Sequence, residues 1–487
     1  MCSSSTSDST IVATLASPIS TSFNSFTLLS WLASGYLIAN AAIQPLSGRL
    51  SDIYGRRAGF IFACTFFAAG TLVCGLAKSA PVIIAGRVIA GSGGGCLNTI
   101  STFIASDLIP LRKRGLWQGF ANIVYGMGMG LGGVFGGFMN DRLNWRWAFY
   151  IQVPFIVLAG IMGAIFVDIP VKESDKSKIK RVDFLGAILL STSLVLLLLA
   201  LNSGGNTVPW SHPLVTVSLP LSAVALAAFA YVETRVSEPV IPVKLLLRRT
   251  VAAACLTNWF MTMSVFALLY YAPIYFQVVF SLTATQVGTR IIPVSVGTSV
   301  GSLGAGLIMR TTGKYWWLNV GVQTLSIVSA TLITATFNRD LPVWPPFIYL
   351  FLNGTAYGAT LTVTLLGLLA AVGHEHQAVI TSASYAFRST GSTIGITIAS
   401  SVFQNVLKDR LWERFGDLPN AAHWISKMRD DVDQIRHLPE QWRDGAVDVY
   451  VEALRAVWVL IMGLACLGGL VSLCMKEHVL HKTLARK

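Results

Sequence analysis

Gly48-Arg-Leu-Ser-Asp52-Ile-Tyr-Gly55-Arg56-Arg57 lies between two apolar runs, 28–48 and 58–77. Runs of about 20 apolar residues match the thickness of a bilayer, so the string reads as the tight turn between two membrane helices. Its two glycines, seven residues apart, let helix ends approach closely and allow backbone angles other residues avoid. Asp52 is suited either to pair with a neighbouring guanidinium or to sit at a helix N-terminus, where the dipole favours an anion. A cluster of this kind can latch two helices in one state and release them in another. Gly48, Asp52, Gly55, Arg56 and Arg57 are therefore candidates for a conformational gate.

The rest of the chain has the same character. Of its 487 residues 53% are hydrophobic and only 12% charged, and mean hydropathy is +0.62. Soluble proteins carry roughly 25% charged residues, so a soluble enzyme or binding domain is excluded. Further apolar runs fall at 81–105, 116–139, 148–167, 184–202, 214–232, 251–272, 287–309, 316–336, 345–370, 378–404 and 451–475. A short, Ser/Thr-rich stretch at 8–22 makes a fourteenth. The expected fold is an all-α polytopic membrane protein of fourteen spans, the first short or truncated by a late start.

The net charge of +13 invites a nucleic-acid reading, but the position of the charges argues otherwise. Cytosolic loops of membrane proteins concentrate Lys and Arg. Twenty-one of the 36 basic residues fall in every second loop and in the C-terminal tail, among them Arg112, Lys113 and Arg114. The short loops between them hold only Lys78, Arg142, Arg146 and Arg339. This alternation places both termini in the cytosol and leaves no nucleic-acid footprint. The segment 405–450 on the opposite side is soluble in composition. It reads as a solvated loop, with a lid carrying Trp412, Trp424 and Trp442 at the membrane surface as the alternative. The seven cysteines show neither metal-ligand nor disulfide spacing, and His374-Glu375-His376 lacks the His-Glu-x-x-His pattern of a zinc site. No metal or cofactor is expected.

Charges at membrane depth are costly and mark function by default. Arg87 falls inside the 81–105 run and Arg388 inside 378–404. Arg87 has two readings, a functional charge or a side chain snorkelling to the nearby surface. Arg388 has no acidic partner in its own run, so a carbonyl, a water or a substrate carboxylate must satisfy it. An internal echo, Gly306-Leu-Ile-Met-Arg310-Thr-Thr-Gly313-Lys314, repeats the seven-residue glycine spacing and the trailing base of the opening string.

The opening string resembles the signature loop of the major facilitator superfamily, and Arg87 with Gly91 resembles the family's R-x-x-x-G motif. Gly128-Met-Gly-Leu-Gly132-Gly133-Val-Phe-Gly136-Gly137 is similar to its antiporter motif, with Gly133 where proline is usual. Asp8-Ser-Thr-Ile-Val12 and Asn144-Trp-Arg-Trp147 resemble patterns of the fourteen-span proton-antiporter branch. The stretch from Trp31 to Gln118 is most like fungal vacuolar transporters of basic amino acids.

The resemblance implies two six-helix halves with two inserted helices. Residues 1–168 would form the first half, 169–250 the inserted spans with basic linkers, 251–475 the second half and 476–487 a cytosolic tail. It implies proton coupling through Asp8 and Arg87, although with so few residues before it Asp8 is expected near the surface. Gly128, Gly132, Gly136 and Gly137 join the gate. Helix equivalence puts Asn98, Asn258, Tyr271, Asn353, Tyr357 and Arg388 around a central cavity, although each amide or phenol is equally able to bond a neighbouring helix. The expected function is proton-coupled antiport of amino acids, basic ones in particular, across the vacuolar membrane by a monomer that is not an enzyme. Its partners would be protons, a small-molecule substrate and the lipid bilayer. Drug or metabolite efflux at the plasma membrane, and a transport-dead nutrient sensor, are the alternatives.

Overall fold

The computed structural model describes residues 2–23, 27–108, 111–168, 183–204, 208–236, 243–339, 341–373, 377–417, 421–430 and 440–478. These are overwhelmingly helical. In chain order the helices are α1 (Cys2–Ser22), α2 (Thr27–Tyr54), α3 (Arg56–Leu76), α4 (Ala80–Leu108), α5 (Leu111–Arg142), α6 (Trp145–Tyr150), α7 (Gln152–Phe166), α8 (Phe184–Ser203) and α9 (Pro213–Glu233). There follow α10 (Val243–Leu246), α11 (Arg249–Phe280), α12 (Ala284–Thr312), α13 (Trp316–Thr336), α14 (Pro345–Ala371), α15 (Gln377–Phe415), α16 (Ala421–Asp430) and α17 (Glu440–Ser472). A helix covers each of the fourteen apolar stretches. Among the described residues, ten helical segments are long and apolar enough to cross a membrane. Phe155, Leu158, Ile161, Ile165 and Phe166 of α7, and Val217 and Val224 of α9, stand exposed. In an aqueous protein such a belt would be an aggregation hazard; here it faces lipid.

Several boundaries differ from the sequence expectation, three of them with structural consequences. α1 begins at Cys2 rather than at residue 8, so nearly two turns precede Asp8. The run 148–167 is broken into α6 and α7 at Ile151. Asn144 caps α6 by accepting from the Arg146 backbone N–H at 3.2 Å, and Pro154 lacks the N–H that would continue the helical ladder through this point. Most strikingly different in length, α15 runs on for 39 residues to Phe415, about 58 Å at 1.5 Å per residue, far more than a bilayer needs.

That overrun belongs to a packed helical cap, not to a solvated loop. Leu407, Leu411 and Phe415 of α15, Ile425 and Met428 of α16, and Trp442, Ala446 and Tyr450 of α17 bury one another. Phe415 stacks on Trp442 with ring centroids 4.8 Å apart, and the Tyr450 hydroxyl donates to the Met428 carbonyl at 2.5 Å. Asp448 ties the cap together, accepting from Arg339 at 3.2 Å and from Arg414 at 3.1 Å. Trp442 is thus a core residue of the cap, while Trp412 is 45% exposed.

Two sets of helices, α1–α7 (the first bundle) and α11–α17 (the second), repeat one packing device. Gly91 and Gly95 of α4 lie on the backbone of Tyr36 and Asn40 in α2; Gly354 and Gly358 of α14 lie on Val294 and Thr298 in α12. A Cβ at any of the four would collide with a main-chain carbonyl, so in both bundles a pair of glycines four residues apart lets two backbones touch. The glycines at the turn repeat as well. Gly55 (φ 100°) and Gly313 (φ 68°), the second glycines of the opening string and of its echo, are the positive-φ glycines among the described residues. α8 and α9 pack on each other, and α8 wedges against α2 and α15. There Ala187, Leu190, Phe229 and Ala383 form a small separate core.

Candidate functional site

Asp8 on α1 and Arg87 on α4 meet inside the first bundle. The Arg87 guanidinium donates to Asp8 Oδ2 at 2.6 Å and to the Leu32 carbonyl of α2 at 3.1 Å, and lies 4.3 Å from the Tyr36 ring centroid. Both side chains are buried, Asp8 at 0% and Arg87 at 1% exposure. Arg87 therefore does not snorkel, and Asp8 is not near the surface: the turns of α1 ahead of it carry it into the bundle. A buried ion pair is tolerable only when both charges are compensated. Here Arg87 has a carboxylate and a carbonyl to donate to, while Asp8 Oδ1 has no hydrogen-bond partner among the described residues. Tyr270 of α11 and Cys74 of α3 are close enough to feel both charges, so the second bundle reaches the pair through Tyr270.

The other deep cation has a different environment. Arg388 of α15 lies 4.9 Å from the Tyr385 ring centroid, and Tyr357 of α14 and Tyr125 of α5 are near enough to act on its charge. No carboxylate pairs with it among the described residues. Next to it, Ser389 donates to Asn40 of α2 at 2.9 Å, so Arg388 stands on the seam between the bundles. Asn353 lies one turn from Tyr357 on α14, 2% exposed, and its side-chain oxygen has no partner among the described residues.

The remaining cavity candidates are distributed less simply. Asn258 donates to Ser384 at 3.2 Å and accepts from Thr364 at 3.0 Å, holding α11 to α15 and α14. Tyr271 packs at a tilt on Phe403, ring centroids 5.3 Å apart, within the core. Asn98 is half-buried on α4.

The gate residues fall into two groups. At the opening string, Arg56 donates to Ser51 at 2.7 Å and stacks over Phe103 at 4.8 Å, while Arg57 is exposed. The side-chain environments of Gly48 and Asp52 lie outside the described residues, as does His374-Glu375-His376. In α5, Gly128, Gly132, Gly136 and Gly137 are all buried, and Gly136 rests against Ile11 of α1. The close contact with the second bundle comes instead from Gly126, Gly130 and Gly133, which face Ser295, Ser299 and Gly288 of α12. A Cβ on Gly288 would come within 2.6 Å of the Gly133 carbonyl oxygen. Sequence reading missed this stripe, although its i, i+4, i+7 spacing was visible. At the far end of the same seam, Asp141 of α5 accepts from the Thr285 backbone N–H at 3.2 Å and from its hydroxyl. The two bundles thus touch through small residues along α5 and α12 and are latched at one end. The arrangement suits a rocking motion about a buried ion pair and a tyrosine-lined cation.

The comparisons with known proteins agree. The Major Facilitator Superfamily profile matches residues 1–396. The multidrug resistance protein fnx1 of Schizosaccharomyces pombe is 37% identical over 485 residues, 98% of this chain and 91% of that protein. The vacuolar membrane amino acid uptake transporter fnx2 of the same organism is 33% identical over 462 residues, 93% and 79% of the two chains. Among solved structures, an inward-facing, unoccupied bacterial homolog of the human lysosomal transporter Spinster superposes with a TM-score of 0.64 at 15% identity, covering 97% and 94% of the two chains. The human organic anion transporter MFSD10 gives 0.57, also at 15% identity, over 95% and 97%. With its glycine-packed bundles and buried intramembrane charges, the chain belongs to the Major Facilitator Superfamily and is a multi-pass membrane transporter, not an enzyme.

Proposed function

We propose that the protein is a proton-coupled antiporter of amino acids, basic ones in particular, at the vacuolar membrane. The observation that carries this reading is the buried Asp8–Arg87 pair. A carboxylate held against a guanidinium in a dry bundle is neutralised by one proton, and neutralisation removes the attraction that joins α1 to α4. Proton binding then biases one packing of the bundle over another, which is what coupling requires. The half-satisfied carboxylate, whose Oδ1 has no partner among the described residues, supplies an atom for the proton to occupy. Asp8 and Arg87 are the coupling residues in this reading; Arg388, Tyr357 and Asn353 face the substrate, and the α5–α12 glycines with the Gly48–Arg57 turn guide the rocking motion.

Similarity to a relative named as a vacuolar amino acid uptake transporter supports the cargo and the membrane. A second reading, drug efflux at the plasma membrane, is favoured by the relative named as a multidrug resistance protein. The test is uptake of labelled arginine, lysine and a cationic drug into proteoliposomes under an imposed proton gradient. Gradient-driven amino-acid uptake, abolished by an uncoupler and by Asp8→Asn, is the expected result. Drug flux without amino-acid flux would favour the second reading, and ligand binding without any flux would mark a sensor.

A further inference from the structure

Arg388 is a guanidinium set about 16 Å along α15 from Gln377, counting 1.5 Å per residue, in the interior of the apolar run 378–404. Its surroundings are Tyr385, Tyr357 and Tyr125. Phenols solvate a cation through ring faces and oxygens, yet they bring no net negative charge. Arg87, at comparable depth, has its carboxylate. Arg388 therefore stands in the fold with a full charge that nothing described neutralises, on the seam where the bundles meet at Ser389 and Asn40.

One turn from Tyr357 on the same face of α14, the Asn353 side-chain oxygen is a buried acceptor without a donor among the described residues. Buried acceptors left unpaired cost roughly 1–3 kcal/mol, so this atom too lacks a partner that something else must provide. The two deficits have opposite sense: one position lacks an anion, the other a hydrogen-bond donor.

We infer that Arg388 and Asn353 form a zwitterion site, in which the guanidinium takes the α-carboxylate of an amino acid and the Asn353 oxygen accepts from its α-ammonium group. Tyr357 stands between them and orients the carboxylate. Selection is then made on the amino-acid backbone, with the side chain of the substrate left to the rest of the cavity. This explains how a protein with almost no intramembrane carboxylates handles cationic cargo: it reads the carboxylate that every amino acid carries. The inference rests on the amino-acid reading above and gives it a chemical basis.

The test is equilibrium binding to the purified full chain, with L-arginine, L-argininamide (carboxylate made a carboxamide), agmatine (carboxylate removed) and butyrate as probes. Arginine should bind the wild type about thirtyfold or more tightly than argininamide or agmatine, the penalty for losing the anionic partner of a charge without a carboxylate of its own. Arg388→Ala should reduce that ratio to about one, and Arg388→Lys should keep part of it. Asn353→Ala should weaken arginine but leave butyrate unchanged, a split that a merely structural role would not produce. A monodisperse elution profile, unchanged agmatine binding by the Arg388 variants and unchanged butyrate binding by Asn353→Ala exclude misfolding of the variants. Equal affinity for arginine and argininamide, or a preference surviving Arg388→Ala, overturns the inference even if amino acids are transported. Carboxylate binding through Arg388 without amino-acid flux upholds it and overturns the transport reading instead.

Discussion

The Arg87 guanidinium lies 2.6 Å from Asp8 Oδ2, joining α1 to α4 by an ion pair in which neither side chain is more than 1% exposed. Removing one member leaves the other charged and buried, which typically costs about 3–5 kcal/mol, whereas removing both is far milder. Thermal unfolding in detergent should therefore rank Arg87→Met as the least stable, with the double variant Asp8→Asn/Arg87→Met recovering most of the loss. A double variant no more stable than Arg87→Met would show that the pair does not act as a unit. Proton-driven uptake is expected to be absent from all of them.

The contact between Gly133 and Gly288 sets a second expectation. A methyl group on Gly288 meets the Gly133 carbonyl oxygen at 2.6 Å, whereas one on Gly133 meets the Thr14 hydroxyl at 3.2 Å and Gly288 Cα at 3.6 Å. The first is backbone against backbone and cannot be relieved by a rotamer change. Gly288→Ala should lower stability by about 1–3 kcal/mol, the usual cost of overpacking, and slow exchange between states; Gly133→Ala should do much less. Thermal unfolding, together with exchange rates measured between spin labels on α5 and α12, reads both effects.

In the cap, aromatic packing should outweigh charge. The Asp448 bridges to Arg339 and Arg414 involve side chains 36–45% exposed, and pairs of that kind contribute at most about 1 kcal/mol each. Trp442, stacked on Phe415 and 5% exposed, should cost about 3–5 kcal/mol of local stability when changed to Ala. Limited proteolysis around residues 405–450 should therefore accelerate sharply in Trp442→Ala and barely in Asp448→Ala.

The C-terminal segment is docked through Tyr315. Its hydroxyl donates to the Lys476 carbonyl at 2.5 Å and accepts from the His478 backbone N–H at 3.2 Å, and Arg249 donates to the Cys474 carbonyl at 2.9 Å. Burial pushes the Tyr315 phenol from 10.0 up to about 12, partly opposed by the bond from His478. Because the docked state holds this proton more tightly, its contribution is fully present below pH 10 and is lost only as pH rises through about 12. Cleavage after Lys476 by trypsin should be equally slow from pH 7 to 9, and faster throughout that range in Tyr315→Phe.

Much of this architecture was legible in the chain because the bilayer constrains it so strongly. A lipid environment demands continuous helices, so apolar runs locate them, and the Gly55 and Gly313 turns were marked by their spacing and trailing bases. What escaped was whatever depends on a neighbour. The overrun of α15 into the cap is polar enough to read as a loop, and only its burial against α16 and α17 explains it. The α5 stripe that touches α12 is Gly126, Gly130 and Gly133, one face of a helix so rich in glycine that composition cannot choose the face.

The sequence by itself determined the helical membrane fold, the glycine turns and the two deep arginines, because each follows from local periodicity and from the cost of charge in hydrocarbon. Only the tertiary structure decided what those arginines face. Arg87 and Asp8 are 79 positions apart and meet because α1 packs close to α4; Arg388 receives tyrosines from α5 and α14 and, among the described residues, no carboxylate. The electrostatic environment of a buried charge is a property of the helices packed around it, and no local pattern in the chain encodes that.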